Sequence, residues 1–151
     1  MLYHTYILPV NQAGQPSISL EQLWSGLILR IVEQPQFTLG LDSVDMIEQT
    51  DNDYRRALHF GAHVVHDRVH CVPHQSVEFV TDATDTAPSG RLLINIIHEP
   101  VLSLQFAYST EHQDASSDEE QQLLGIIKSA YVAADTDMIR IIRELSFLTH
   151  H

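Results

Sequence analysis

Ten histidines and a single cysteine are the first residues to test for chemistry. His59, His63, His66, His70 and His74 recur at steps of three and four, spacing that would stack them on one helix face. The stretch is not helical, however, because Val64, Val65, Val69 and Val72 favour a strand, bounded by Gly61 and Pro73. On a strand His66 and His70 point the same way but stand about 13 Å apart, at ~3.3 Å per residue. One zinc ion, with nitrogen ligands at ~2.0–2.1 Å, cannot bridge that gap. His66, Arg68 and His70 are therefore predicted to form a solvated strand face, and no metal and no cofactor are expected. His150-His151 can bind metal only adventitiously. Cys71, among alternating apolar neighbours, reads as a small hydrophobe. There is no Gly-x-Ser-x-Gly elbow and no phosphate-cradling loop, since Gly26, Gly40, Gly61, Gly90 and Gly125 stand singly.

More chemistry lies where charges interrupt apolar strand faces. Glu48 shares a side with Val44 and Met46, Arg56 with Tyr54, Leu58 and Phe60, and Asp67 with Val65, Val69 and Cys71. If those faces point inward, ionisable groups of both signs enter the interior from adjacent strands. A loop at Asp51-Asn52-Asp53 would pair Tyr54 with Thr50 and set Arg56 opposite Glu48. A hairpin over Ala62-His63 would set Arg56 opposite Val69, with Asp67 diagonal to it. Unpaired buried charge is costly, so the three groups should pair with one another. Three uses are open: a structural polar knot, an Arg56 guanidinium offered to a ligand carboxylate, carbonyl or phenolate, or general acid–base work by Asp67 or Glu48.

The elements that must position these groups follow from periodicity. A first helix is predicted over about 20–33, with Ser19 and Gln22 in a capping-box arrangement and Pro35 ending it; a short helical turn around 36–39 follows. A last helix runs from about Asp118 to Leu148, its apolar stripe including Leu124, Ile127, Tyr131, Ala134, Met138 and Ile142. Asp135 and Asp137 are assigned to its wet side. Between the helices, period-two segments predict strands near 44–50, 54–60, 64–72, 76–81, 92–98 and 102–109, with a further strand near 4–10 before the first helix. Segments 11–17 and 82–90 read as loops, and 111–120 as the acidic lead into the last helix. Short turns imply an antiparallel sheet. The fold class is α+β, with the long helix across one face of a curved sheet.

Composition narrows the function. The 151 residues fit one domain, 1–151, of ordinary globular make-up at 44% hydrophobic and 19% charged. Eight basic residues against twenty acidic ones give a formal charge of −12. That balance argues against nucleic acid and against anionic membrane surfaces. Apolar runs fall short of the roughly 20 residues that cross a bilayer, and the Met1-Leu2-Tyr3-His4 start has no signal-peptide pattern. A cytoplasmic protein is expected. The oligomeric state, a homodimer included, stays open.

Particular residues add a likeness. Tyr6-Ile7-Leu8-Pro9-Val10-Asn11, Leu23-Trp24-Ser25-Gly26-Leu27, Phe60-Gly61, Val69, Pro73, Ile139-Arg140 and Arg143-Glu144-Leu145 occur in the order found in the helix-grip (SRPBCC) superfamily. That superfamily includes the START, Bet v 1 and polyketide-cyclase-like proteins; the chain resembles most closely the branch related to acetylaranotin-biosynthesis protein L. The resemblance implies a seven-stranded sheet gripping the C-terminal helix, with a cavity between them for a small apolar or aromatic molecule. It maps no catalytic motif. The ligand-binding candidates are Arg56, Glu48, Asp67, Tyr54, Phe79, Ile94, Phe106, Tyr131 and Met138. Three functions are carried forward: a binding module, a cyclase, aromatase or hydrolase-like enzyme using a carboxylate in the same cavity, and a filled domain acting through its acidic surface. A cavity below ~300 Å³ would be small for a ligand site.

Overall fold

The computed structural model describes residues 2–38, 40–85, 88–110 and 118–148. Strand β1 (Leu2–Pro9) leads into helix α1 (Leu20–Val32), then a 3-10 turn (Gln34–Gln36). Six strands follow: β2 (Ser43–Gln49), β3 (Asp53–Phe60), β4 (His63–Val72), β5 (Ser76–Thr81), β6 (Gly90–Ile97) and β7 (Ser103–Thr110). Helix α2 (Asp118–Leu148) is the last element described. The strands make one antiparallel sheet ordered β1-β7-β6-β5-β4-β3-β2. This is the α+β helix-grip arrangement expected from the sequence. Residues 39, 86–87, 111–117 and 149–151, which carry parts of the expected 36–39 turn, the 82–90 loop, the acidic lead and the His150-His151 pair, lie outside the described residues.

Local chemistry accounts for the helix start and the chain's crossing. The Gln22 backbone N–H donates to Ser19 Oγ at 3.1 Å and the Ser19 N–H to Gln22 Oε1 at 2.8 Å, so two orphan donors are satisfied. Thirteen helical residues span about 20 Å, carrying the chain from β1 at one sheet edge toward β2 at the other. Leu23, Leu27 and Ile31 of α1 and Met138, Ile139 and Ile142 of α2 then pack on the inward residues of the sheet, Val69, Val77, Ile94, Leu104 and Phe106 among them. The helices approach closely at Gly26, where a Cβ would fall 2.4 Å from Ile142 Cγ2.

Two hairpins depart from the predicted register. The first closes over Asp51-Asn52 alone, with Thr50 N–H donating to Asp53 O at 2.8 Å. A β-bulge at Ile47 follows, so Met46 stands opposite Arg56 and Glu48 opposite Arg55. Glu48 therefore leaves the interior and pairs with Arg55 at 3.3 Å on the surface. The second hairpin closes over Gly61-Ala62, with Gly61 at φ +59°, a left-handed value that suits glycine. That places Arg56 directly opposite Asp67, not opposite Val69.

A third departure is in α2. Asp135, assigned to the wet side, is buried, and Ala134, assigned to the apolar stripe, is exposed; Arg143 is buried as well. Asp135 lies four residues after Tyr131 and three before Met138, so it belongs to the buried stripe itself. Expecting it on the wet side followed from its charge and not from its spacing.

Candidate functional site

Register stacks two inward rows near the end of the sheet. One runs Met46, Arg56, Asp67, Thr81, Gly90, Thr110; the next runs Tyr54, Val69, Phe79, Leu92, Tyr108, His4. Between these rows and the two helices lies a cleft of about 280 Å³. Arg30 at the end of α1, Gln34 of the 3-10 turn, Tyr131 of α2, and Arg56, Asp67, Phe79, Leu92, Tyr108 and Thr110 of the sheet are among its walls. Gly90 contributes no side chain, and Pro88 stands at the rim. A larger hollow of about 400 Å³ on the outer face is floored by solvated strand residues such as Arg55, Arg68 and His70, with no interior side chain committed to it beyond Tyr54 and Val69.

Arg56 and Asp67 are joined two-fold: Nε donates to Oδ1 at 2.9 Å and Nη2 to Oδ2 at 2.5 Å. Both side chains are almost wholly buried, at 0% and 3% exposure. Nη1 donates to the Ile31 carbonyl at 2.9 Å and to Gln34 Oε1 at 2.6 Å. Four hydrogen bonds tie the guanidinium to β4, to the end of α1 and to the 3-10 turn after it, which is how a buried ion pair is made tolerable. Asp67 is thereby committed to Arg56 and is not a free base.

Arg30 is placed differently. Its guanidinium carbon lies 4.9 Å from the Phe79 ring centroid, with that of Arg56 at 5.5 Å. Its one hydrogen bond among the described residues goes to the Met138 sulfur, at 3.1 Å. No carboxylate lies within ion-pair distance of it among those residues. Thr110 Oγ1 is likewise buried with no partner there.

Behind Tyr108 lies a polar network in an aromatic box. Asp135, 2% exposed, accepts hydrogen bonds on Oδ2 from the Tyr6 hydroxyl and, at 2.6 Å, from the Tyr108 hydroxyl. Burial raises the Asp135 carboxyl above the usual 3.8, opposed by the two phenol hydrogen bonds and by the charges of Arg30 and His4. Burial also raises both phenols, each helped by the adjoining carboxylate. Tyr108 and Tyr131 stack face to face at 4.2 Å, and the His4 ring packs beside Tyr6, Tyr108 and Tyr131.

Of the predicted site residues, Arg56, Asp67, Phe79 and Tyr131 meet at the cleft. Tyr54, Ile94, Phe106 and Met138 are core and do not line it, and Glu48 is on the surface. Cys71 is core too, its thiol pushed up to about 11 by burial. Sequence reading missed Arg30, Tyr6, Tyr108 as a polar group, and Asp135. The signal for Asp135 was its place in the 131, 135, 138, 142 stripe; Arg30 carried none beyond standing one position before Ile31. The histidine strand face is as predicted, with His66 and His70 exposed and His70 Nδ1 2.7 Å from Asp53. Among the described residues no group of His, Cys, Asp and Glu is arranged to hold a metal, and no helix is long and apolar enough to cross a membrane.

Comparison places this architecture. The family model described as acetylaranotin biosynthesis cluster protein L matches residues 4–147. No curated protein matches the sequence. Among solved structures, the Zhui aromatase/cyclase from Streptomyces sp. R1128 is 13% identical, with TM-score 0.61 over 95% of this chain and 92% of that one. The di-domain aromatase/cyclase StfQ of the steffimycin biosynthetic pathway is 10% identical with TM-score 0.70, over 94% of this chain and 50% of that one. Ara h 8.0201 is 8% identical with TM-score 0.60, over 97% and 99%. At these identities the likeness is one of fold.

Proposed function

Since the chain belongs to the acetylaranotin biosynthesis cluster protein L family, whose fold it shares with aromatase/cyclases, we propose that it binds a small flat aromatic ligand bearing an acceptor oxygen. The site is the cleft between the sheet and the two helices. One observation carries the reading: Arg30 stands at the cleft on the Phe79 ring with no carboxylate partner among the described residues. A guanidinium in that position favours a carboxylate, phenolate or carbonyl oxygen. Phe79, Leu92 and the stacked Tyr108–Tyr131 pair offer the apolar and π surface a ring needs. At about 280 Å³ the space falls just below the ~300 Å³ set above as small for a ligand site, so the ligand proposed is itself small, of one or two rings. Arg56 supports the site by holding the end of α1, and so Arg30, against the sheet. The same reading takes residues 1–151 as one domain working in the cytoplasm.

Titration calorimetry tests it with 2-naphthoate and its uncharged counterpart naphthalene. Arg30→Met keeps length and apolar bulk but removes the charge. A charge-assisted hydrogen bond contributes about 1.5–3 kcal/mol, so naphthoate affinity should fall roughly 10- to 100-fold while naphthalene changes little. Equal losses for both probes would remove Arg30 from recognition. Absence of binding by either would remove the cleft as a ligand site.

A further inference from the structure

We infer that Asp135 and Tyr108 form a catalytic proton-transfer pair, and that the chain enolises a small aryl ketone held in the cleft. This rests on the cleft being a ligand site, as proposed above, and adds a reaction to it.

The geometry divides the labour. Tyr108 both lines the cleft and donates its hydroxyl proton to Asp135 Oδ2 at 2.6 Å. Oδ2 also accepts from Tyr6, so this oxygen is fixed from two sides, while Oδ1 accepts no hydrogen bond among the described residues. A phenol whose proton is already drawn toward a carboxylate leaves its oxygen lone pairs as acceptors for a proton arriving from the other side. Arg30, from α1, is the cationic donor at the same cleft. A base on one wall and, on another, a guanidinium with no carboxylate partner among the described residues are the two groups needed to remove a proton α to a carbonyl.

The step balances within these residues. The ligand's α C–H bond breaks and its proton bonds to Tyr108 Oη. The Tyr108 proton passes to Asp135, giving a neutral carboxylic acid. The C–H electron pair becomes the C=C bond, and the carbonyl π pair moves onto oxygen, where Arg30 stabilises the enolate. Reversing the relay returns the proton to carbon or delivers it to oxygen. No oxidant or co-reactant is involved. Tyr108 never becomes a free phenolate in this scheme, which agrees with burial and the Asp135 charge holding its ionisation above the usual range. Burial makes Asp135 a stronger base than a solvated aspartate, as a general base near neutrality requires. A purely structural network, pinning α2 to β1 and β7, would share the hydrogen bonds but not the reaction.

The test uses the full chain in D₂O with 2-tetralone, two fused rings carrying one carbonyl, and proton NMR of its C1 methylene. Saturable exchange faster than buffer is expected, with many turnovers per protein. Asp135→Asn should lower kcat about 100-fold with KM changed less than about threefold. Tyr108→Phe, which keeps the ring and its stacking on Tyr131, should do the same and carries the test if Asp135→Asn does not fold. The wild-type rate should rise with pH as Asp135 ionises, and that step should vanish in Asp135→Asn. The groups around Asp135 are Tyr6 and His4 of β1, Tyr108 of β7, Arg30 of α1 and Tyr131 on its own helix. Ketone that displaces 2-naphthoate but exchanges no faster than in buffer overturns the reaction and leaves the binding site standing. Rates unchanged in both variants overturn it equally. Failure of both ketone and naphthoate to bind removes the two readings together.

Discussion

Replacing Arg56 with alanine would leave the Asp67 carboxylate in an interior with 3% of its side chain exposed. It would also unpair the Ile31 carbonyl and Gln34 Oε1, both of which Arg56 Nη1 now satisfies. Breaking a buried pair from one side costs about 3–5 kcal/mol, a large share of the ~5–15 kcal/mol that holds a domain folded. For a chain of 151 residues that is a fall in Tm of about 10 °C. Urea denaturation followed by circular dichroism measures the free energy directly, and the Arg56→Ala/Asp67→Ala double variant closes a cycle. Because the double variant leaves no stranded charge, it should be less destabilised than the sum of the two single variants. Arg55→Ala is the control, since its ion pair with Glu48 is solvated, at 57% and 65% exposure, and should change stability by ~1 kcal/mol or less. An Arg56→Ala cost no larger than the control's would mean that water reaches the pair, and the account of a dry clamp holding α1 would fail.

Two further outcomes follow from the same contacts. Gly26→Ala drives a methyl group into the buried, β-branched Ile142 side chain, which has little room to turn aside, and should cost about 1–3 kcal/mol in a urea titration; no loss would mean that the helices separate freely. The raised Asp135 carboxyl makes the folded state bind a proton more tightly than the unfolded one. Its contribution is therefore largest in acid, and declines as pH rises above about 4 through the folded ionisation. Asp135→Asn should flatten that part of the pH–stability curve, and an unchanged slope would show that Asp135 is solvated.

The fold was legible because its signals are local and repeated. The Ser19–Gln22 box, the period-two segments and the 3.6-residue stripe of α2 each need only a few neighbours to be read. The site was half legible. Arg56 and Asp67 interrupt apolar strand faces, and a charge in such a place needs a partner, so their pairing could be foreseen. Which strand position faces which could not, because register is set by turn length. A loop one residue shorter than expected and one extra residue at Ile47 moved Glu48 out of the interior. Asp135 shows the other difficulty. Its spacing assigned it to the buried stripe and its charge to the surface, and only the Tyr6 and Tyr108 hydroxyls, from strands distant in sequence, settle the conflict. Arg30 depends in the same way on Phe79, far along the chain.

The bulge at Ile47 also bears on how readily a further strand could add to the sheet. β2 is an edge strand, and a straight edge offers its free N–H and C=O groups to any passing strand. An extra residue breaks that even row of donors and acceptors and increases the local twist, so a flat strand from another copy finds no matching ladder. Asp45 and Glu48, on the exposed stretch around the bulge, are paired to His59 and Arg55 of β3, so charged groups rather than apolar side chains meet an approaching strand. At the other edge β1 ends in Pro9, which has no N–H to offer. The irregularity that upsets prediction of register thus also hinders the sheet from growing past seven strands into an aggregate.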